Sequence, residues 1–243
     1  GAFCGLRRLP RGRAQRAGAG AGGPPGLPTA WPAEPEALRF AHFANWLLPE
    51  RLMAGRYPFA SPAYCDSQAE AEQQLASLVR DAGVTAFVCL QSELPAQDDT
   101  GAWPRRGVPV QGFDGAFLPY AARARELAAE AGSKASFVHE PIPDLGVPSP
   151  RRLLRLLGRL EALLAAGEVV YLHCWGGRGR TGLVAACLLG RLFPERSAGD
   201  CLDLVQAAYS SRGAPQDVGQ LARSPQTTEQ RRFVRSWLEG KPR

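Results

Sequence analysis

Short apolar runs of strand length alternate with longer stretches in which apolar residues recur at helical spacing from Trp31 onward. Residues 84–90 form a continuous apolar run, which is typical of a strand buried on both faces. Apolar residues at 153, 154, 157, 160, 163 and 164 predict an amphipathic helix that Ser149 caps, Pro150 opens and Gly167 ends. The alternation predicts an α/β fold with a central, mainly parallel sheet and helices on both faces.

The same reasoning predicts the other elements of the chain. We expect strands at residues 52–56, 135–139 and 169–173, and helices at 67–82, 181–193, 198–210 and 226–239. Ser67 is the predicted N-cap of the first of these helices, and Gly83 follows its end. Residues 94–120 contain four prolines and several glycines, which predict a long functional or surface loop.

The first 30 residues have no apolar periodicity, and 23 of them are Gly, Ala, Arg or Pro. Five Arg and no acidic residue lie there, so this stretch accounts for +5 of the net charge of +6. These features predict a disordered basic arm over residues 1–40, followed by one folded domain over residues 41–240. An Arg-rich, acid-free arm is also typical of organelle transit peptides, so a chloroplast or mitochondrial location is an alternative to the cytoplasm.

Composition and charge exclude several classes of function. The chain beyond residue 30 carries 24 Lys and Arg against 23 Asp and Glu, which argues against a nucleic-acid-binding surface. No run approaches the ~18 apolar residues of a membrane span. The six cysteines form no C-x-x-C pair, so we expect free thiols in a reducing compartment. His42 and His139 lack ligand spacing, so no metal site is predicted. The sequence does not specify an oligomeric state.

The strongest chemical signal is the segment HCWGGRGRTG at residues 173–182, between a predicted strand and a predicted helix. Gly176, Gly177 and Gly179 permit positive φ, so the turn can aim successive N–H groups inward as an anion-binding nest. Cys174 lies at the floor of this nest, where the N–H dipoles, the helix end and Arg180 favour a nucleophilic thiolate. Arg180 can also hold two phosphoryl oxygens with its planar guanidinium.

This Cys-x5-Arg segment resembles the phosphate-binding loop of the cysteine-dependent protein tyrosine phosphatases, and within them the compact dual-specificity branch. The resemblance covers about residues 45–238 and implies phosphomonoester hydrolysis through a phosphocysteine, without a cofactor. It implies that Cys174 is the nucleophile, Arg180 the oxyanion clamp and Thr181 the residue that steadies the departing thiolate. His173 would orient the loop and help to keep the thiol ionised. The implied phosphate-binding residues are Trp175, Gly176, Gly177, Arg178 and Gly179.

Phosphate-ester cleavage also requires an acid that protonates the leaving oxygen from the side opposite the thiolate. Asp144 lies in a proline-stiffened loop 30 residues before Cys174, and its IPD sequence resembles the acid loop of the dual-specificity phosphatases. The alternative is a turn carboxylate that caps the helix beginning near Ser149.

A further segment, residues 224–233, resembles the glutamine loop of the larger tyrosine-specific phosphatases through its Gln-Thr-x-x-Gln pattern. The resemblance implies that Gln226 and Gln230 position the water that attacks phosphocysteine. Alternatively, both residues lie in the first turn of a helix capped by Ser224.

Several interpretations remain open at this stage. His173 has a structural or an electrostatic role. Arg178 is a solvated charge, or it widens the anion site for phosphoinositides or other multiply phosphorylated small molecules rather than phosphorylated proteins. A non-catalytic, phosphate-recognising adaptor is a further alternative, although such relatives usually lose the Cys, the Arg or the acid. Cys89 and Cys187 fall in apolar stretches and are predicted core residues, with a disulfide to oxidised Cys174 as the alternative.

Overall fold

The fold is described from a computed structural model that covers residues 26–32, 34–213 and 223–240. Its strands are β1 (Arg39–Ala41), β2 (Ala44–Leu48), β3 (Leu52–Gly55), β4 (Ala86–Gln91), β5 (Val108–Pro109), β6 (Ala116–Phe117), β7 (Ser136–Ile142) and β8 (Val170–His173). Six strands form one sheet in the order β1-β2-β3-β8-β4-β7, and β5 and β6 form a separate hairpin. The β3, β8, β4 and β7 strands are parallel, whereas β1 and β2 are antiparallel, so the predicted mainly parallel sheet is confirmed.

Helices cover both faces of this sheet. They are α1 (Gln68–Arg80), α2 (Ala121–Glu130), α3 (Pro150–Ala165), α4 (Gly179–Leu192), α5 (Ala198–Ser210) and α6 (Thr228–Glu239). One apolar cluster joins the sheet to α3, α4, α5 and α6, and a second joins it to α1 and α2. Among the described residues, no helix combines the length and the apolar character that a membrane crossing requires. The buried strands β4 and β8 therefore lie between two layers of helices, as their apolar sequences predict.

The two helices with the clearest sequence signals form as predicted. The Ser67 side chain accepts from the N–H of Glu70, and the Ser149 side chain accepts from the N–H of Arg152. The apolar stripe of α3 is buried except at Leu163, which is partly buried, and Leu154, which is 52% exposed. These matches confirm that capping residues and apolar spacing determine both helices.

Other elements differ from the predictions. The β1, β2 and α2 elements were not predicted. Helix α2 was missed because it is rich in alanine and has a weak apolar stripe. The predicted loop at 94–120 contains the β5–β6 hairpin and a short 3-10 turn (Thr100–Ala102). Helix α4 begins two residues earlier than predicted, and Thr227 rather than Ser224 caps α6. A capping box of Thr227 and Gln230 explains the second difference.

The predicted N-terminal arm does not extend to residue 40. Leu38 is buried in the core, and Trp31 packs edge-on against Phe193 with ring centroids 5.2 Å apart. The N–H of Gly26 donates to the carbonyl of Ala165, and strand β1 already begins at Arg39. The described residues before position 41 therefore belong to the folded domain. The predicted disorder of residues 1–25 lies outside the described residues.

Candidate active site

Cys174 directly follows β8 at the carboxyl edge of the parallel strands, where loops of an α/β sheet converge. It is 3% exposed and lines a surface pocket. Asp144, Arg178, Arg180 and Gln226 line the same pocket, so the fold brings together side chains from three separate segments. The predicted nucleophile, oxyanion clamp, acid and one glutamine are therefore neighbours in space.

The backbone of the Cys174 loop is oriented by hydrogen bonds to its carbonyl groups. Nδ1 of His173 faces the carbonyl of Cys174 at 3.4 Å, and the N–H of Tyr57 donates to the carbonyl of Trp175 over 2.9 Å. Arg212 donates from Nη1 to the carbonyl of Gly176 (3.4 Å) and from Nη2 to that of Gly177 (3.0 Å). Oγ of Ser224 donates to the carbonyl of Arg178 over 2.9 Å. In a trans peptide, the C=O of one residue and the N–H of the next point in opposite directions. The N–H groups of residues 175–179 therefore point away from these five donors, as an anion nest requires.

Arg212 is the largest contributor to this support, although it lies outside the loop. Its side chain is 5% exposed, its Nε donates to Oδ1 of Asn45 over 2.7 Å, and its guanidinium lies 4.8 Å from the centre of the Tyr209 ring. Burial lowers the pKa of Arg212 to about 10, which leaves it charged at neutral pH. Sequence reasoning missed Arg212 because it follows α5 and no local pattern connects it with Cys174.

The glycines of the loop serve two different purposes. Only Gly177 has a positive φ (67°), and a Cβ there would lie 2.1 Å from the carbonyl oxygen of Gly55. Gly176 and Gly179 do not use the positive φ that glycine permits. A Cβ on Gly176 would lie 2.9 Å from the Tyr64 hydroxyl, and one on Gly179 would lie 3.2 Å from Oε1 of Gln226. These two glycines therefore permit close approach rather than unusual dihedral angles.

Arg180 is held by an acidic residue that sequence reasoning did not identify. Glu93, which follows β4, places Oε2 2.6 Å from Nη1 and Oε1 2.8 Å from Nη2 of Arg180. Burial opposes charge on both groups, but their hydrogen bonds and mutual attraction lower the pKa of Glu93 and raise that of Arg180. Nε of Arg180 is buried and has no hydrogen-bond partner among the described residues. Glu93 thus orients a charged guanidinium whose Nε–H donates no hydrogen bond to the described residues.

Asp144 lines the pocket next to Arg180. It follows β7, its side chain is 56% exposed, and its Oδ1 lies 3.0 Å from Nη2 of Arg180. The alternative role as a helix cap does not hold, because Ser149 caps α3 with its own side chain. The N–H of Gly146 donates to the carbonyl of Pro143, which closes a turn around Asp144, and Nε2 of Gln230 donates to the carbonyl of Gly146, which anchors the loop after Asp144.

His173 is fully buried, and both of its ring nitrogens face hydrogen-bonding groups. Its Nε2 lies 2.7 Å from the Tyr120 hydroxyl, and its Nδ1 faces the Cys174 carbonyl. Burial lowers the pKa of His173 to about 3, so the imidazole is neutral at physiological pH. The electrostatic alternative therefore lacks the positive charge that it needs, and the hydrogen-bonding role of His173 accounts for its position.

Thr181 lies in the first turn of α4, beside Arg180 in the chain. Its Oγ1 is buried and has no hydrogen-bond partner within the described residues. Burying a hydroxyl without a hydrogen-bond partner costs free energy, so such a group in a folded protein calls for an explanation, such as a role in catalysis. The placement is compatible with the implied contact to the departing thiolate, which stays a prediction.

The two glutamines differ in their surroundings. Gln226 precedes α6 and lines the pocket, so it can contact a water there. Gln230 is fully buried, and its side chain accepts from the N–H of Thr227 and donates to the carbonyl of Gly146. Gln230 therefore connects α6 with the acid loop, which is a different role from the one the resemblance implies.

The remaining cysteines have separate environments. Cys89 and Cys187 are buried, as predicted for core residues. Burial raises the pKa of Cys89 to about 12, so its thiol stays protonated at neutral pH. Cys89 therefore lacks the thiolate character that promotes oxidation.

Comparison with known proteins extends this description. Residues 116–192 match the family model "Polymorphic toxin system, DSP-PTPase phosphatase". A 110-residue stretch is 35% identical to a putative tyrosine phosphatase of Invertebrate iridescent virus 3, and this match covers 42% of the chain and 44% of the viral protein. An 82-residue stretch is 38% identical to cyclin-dependent kinase inhibitor 3 of Sus scrofa and covers 34% of the chain and 38% of that protein. The chain thus spans less than half the length of these relatives.

Two solved structures resemble the fold over most of the chain. The Tk-PTP structure in its active form has a TM-score of 0.50 and 25% identity, and the match covers 82% of this chain and 97% of Tk-PTP. The kinase associated phosphatase has a TM-score of 0.51 and 18% identity, covers 78% of this chain and 86% of its own, and is compared for its fold alone. Over the matched stretches the chain is thus similar to tyrosine and dual-specificity phosphatases, which confirms the resemblance drawn from residues 173–182.

Proposed function

We propose that the protein hydrolyses phosphomonoesters through a phosphocysteine, without a metal ion, and that its substrates are phosphorylated proteins. The observation that carries this proposal is the convergence of Cys174, Arg180 and Asp144 on one pocket. Cys174 attacks phosphorus in line with the leaving oxygen, and the inward N–H groups of residues 175–179 hold the phosphoryl oxygens. Nε of Arg180 is available as a further donor to them.

The steps around this attack use residues already described. Protonated Asp144 donates its proton to the departing alkoxide or phenoxide. A water then attacks the phosphocysteine, Asp144 takes its proton, and the thiolate leaves with the Thr181 hydroxyl as hydrogen-bond donor. Gln226 positions the water, because its side chain lines the pocket beside Cys174. The first step exchanges the P–O bond of the ester for a P–S bond, and the second exchanges that P–S bond for a P–O bond to water, so the bonds balance without a cofactor.

The test compares turnover of a small aryl phosphate by the wild type and by Cys174→Ser. We expect the variant to lose essentially all turnover, because an alcohol is a far weaker nucleophile than a thiolate at neutral pH. Cys201→Ala is the matched control, since Cys201 is a buried cysteine of α5 outside the pocket. Wild-type turnover in Cys174→Ser would overturn the proposal, and unchanged turnover in a metal chelator would support its metal independence.

Arg178 favours a second candidate substrate class. It lines the pocket and adds a positive charge there, which suits phosphoinositides or other small molecules with several phosphates. In parallel assays of a phosphotyrosine peptide and a phosphoinositide, Arg178→Ala would selectively reduce lipid turnover under this alternative. A phosphate-recognising adaptor would instead bind substrate tightly without turnover.

A further inference from the structure

Two exposed apolar side chains stand at the mouth of the Cys174 pocket. Four large hydrophobic residues are strongly exposed within the described residues, and two of them, Phe113 and Leu145, line this pocket at 50% exposure each. A single exposed apolar residue is ordinary on a protein surface. Two at the rim of one polar, phosphate-binding pocket indicate that the ligand has an apolar part next to its phosphate.

Phe113 is held at this rim by an anchored hairpin. It lies in the turn between β5 and β6, and its N–H donates to the carbonyl of Val110 over 3.2 Å. Phe117 of β6 is fully buried. The next residue, Leu118, donates its N–H to Ala60 and accepts from the Tyr57 hydroxyl over 2.7 Å. The hairpin therefore fixes the position of Phe113 relative to the core.

Trp175 connects Phe113 with the nucleophile. It is the residue after Cys174, and its Nε1 donates to the carbonyl of Pro62 over 2.9 Å, which fixes the indole ring. The centroid of the Phe113 ring lies 5.0 Å from that of Trp175, at an interplanar angle of 75°. Phe117 packs on the same indole at 5.5 Å. An aromatic wall of Trp175 and Phe113 thus extends from the loop of Cys174 to the pocket rim.

We propose that Phe113 is a specificity-determining residue that contacts the phenyl ring of phosphotyrosine; this inference rests on the proposed function. When a phosphoryl group is bound at Cys174, a phenyl ring attached to it extends outward along the Trp175–Phe113 wall. Phosphoserine and phosphothreonine place only one or two saturated side-chain carbons there, which leaves Phe113 uncovered. An aromatic pair contributes about threefold to tenfold in binding beyond the buried area alone. The wall therefore favours phosphotyrosine over the aliphatic phosphoesters.

The experiment measures kcat/KM on two peptides that differ only in carrying phosphotyrosine or phosphothreonine. We expect Phe113→Ala to lower kcat/KM for phosphotyrosine about threefold to tenfold, and to leave the phosphothreonine value and the inhibition constant of vanadate unchanged. Vanadate is a ring-free probe of the phosphate site, so it also serves if the phosphothreonine peptide is turned over too slowly to measure. Phe113→Tyr keeps the ring and retains the wild-type preference.

Leu154→Ala is the matched control, because Leu154 is equally exposed but lies on α3 and does not line the pocket. We expect it to change none of the three values. An equal loss for both peptides and for vanadate in Phe113→Ala would overturn the inference, because it would mean that the hairpin only supports the loop. No loss in Phe113→Ala would also overturn it. If the wild type hydrolyses neither peptide, the proposed function is overturned instead.

Discussion

Glu93 and Arg180 form a two-point ion pair in which both carboxylate oxygens face the guanidinium, at 2.6 and 2.8 Å. Arg180 is 2% exposed, so this pairing offsets part of the cost of burying its charge. It also fixes the plane of the guanidinium. The residue that clamps phosphate in the proposed reaction is thus oriented by a side chain from the end of β4.

Neutralising Glu93 tests that relationship. We expect Glu93→Gln to lower kcat/KM about tenfold to a hundredfold, because Arg180 loses the charged partner that contacts both of its terminal nitrogens and fixes its plane. Steady-state kinetics on an aryl phosphate check this. Glu161→Gln is the control, since Glu161 forms a similar two-point pair with Arg191 away from the pocket. Equal effects of the two substitutions would contradict a specific role for Glu93.

Arg212 provides a second test, directed at the carbonyl side of the loop. Arg212→Met removes the donors to Gly176 and Gly177. We expect about a hundredfold loss of kcat/KM, because small displacements of catalytic groups reduce rates steeply, together with weaker vanadate inhibition. Arg191→Met removes an arginine from an ion pair elsewhere and is expected to retain activity. Unchanged vanadate inhibition in Arg212→Met would refute the argument that these donors orient the N–H groups.

The leaving group tests Asp144. We expect Asp144→Ala to reduce kcat about 100-fold or more for substrates with poor leaving groups, and much less for those with acidic phenols, since the latter leave without a proton. A series of aryl phosphates with graded leaving groups measures this dependence. The same loss across the whole series would move the general acid to another residue.

The sequence predicts most of the parts of this site but few of the contacts between them. Cys174, Arg180 and Asp144 are identifiable because local signals mark them, namely a glycine-rich turn after a strand and a proline-stiffened loop. Glu93 and Arg212 carry no such signal, because their partners are 87 and 35 or 36 residues away in the chain. Contacts of that separation depend on sheet order and helix packing.

The fold shows the same division between local and long-range information. Helices α1 and α3 are predicted because Ser caps and apolar spacing act over a few residues. The β5–β6 hairpin is missed because its strands have two residues each and are held by distant contacts to Tyr57 and Ala60. The residue at its tip, Phe113, therefore has no identifiable role until the structure places it at the pocket.

The neutral, buried state of His173 predicts a specific pH dependence of stability. Its pKa is about 3 in the folded protein against an ordinary 6.5, so between these values the unfolded chain binds a proton that the folded protein does not. Stability is therefore lost as pH falls from 6.5 towards 3, by about 2 kcal/mol at pH ~5 from this group. Urea unfolding at pH ~7.5 and pH ~5 measures the loss. His173→Gln does not titrate, and it should lose less stability over this range than the wild type; an equal loss would contradict the assignment.

In the proposed reaction, the Cys174 sulfur becomes phosphorylated during turnover. Rapid acid quenching of the wild-type protein with a phosphotyrosine peptide labelled in its phosphate, followed by peptide mapping, tests this most directly. We expect label on the peptide that contains Cys174, and more of it in Gln226→Ala, where hydrolysis of the intermediate is slowed. Turnover without label on that peptide in either protein would contradict it.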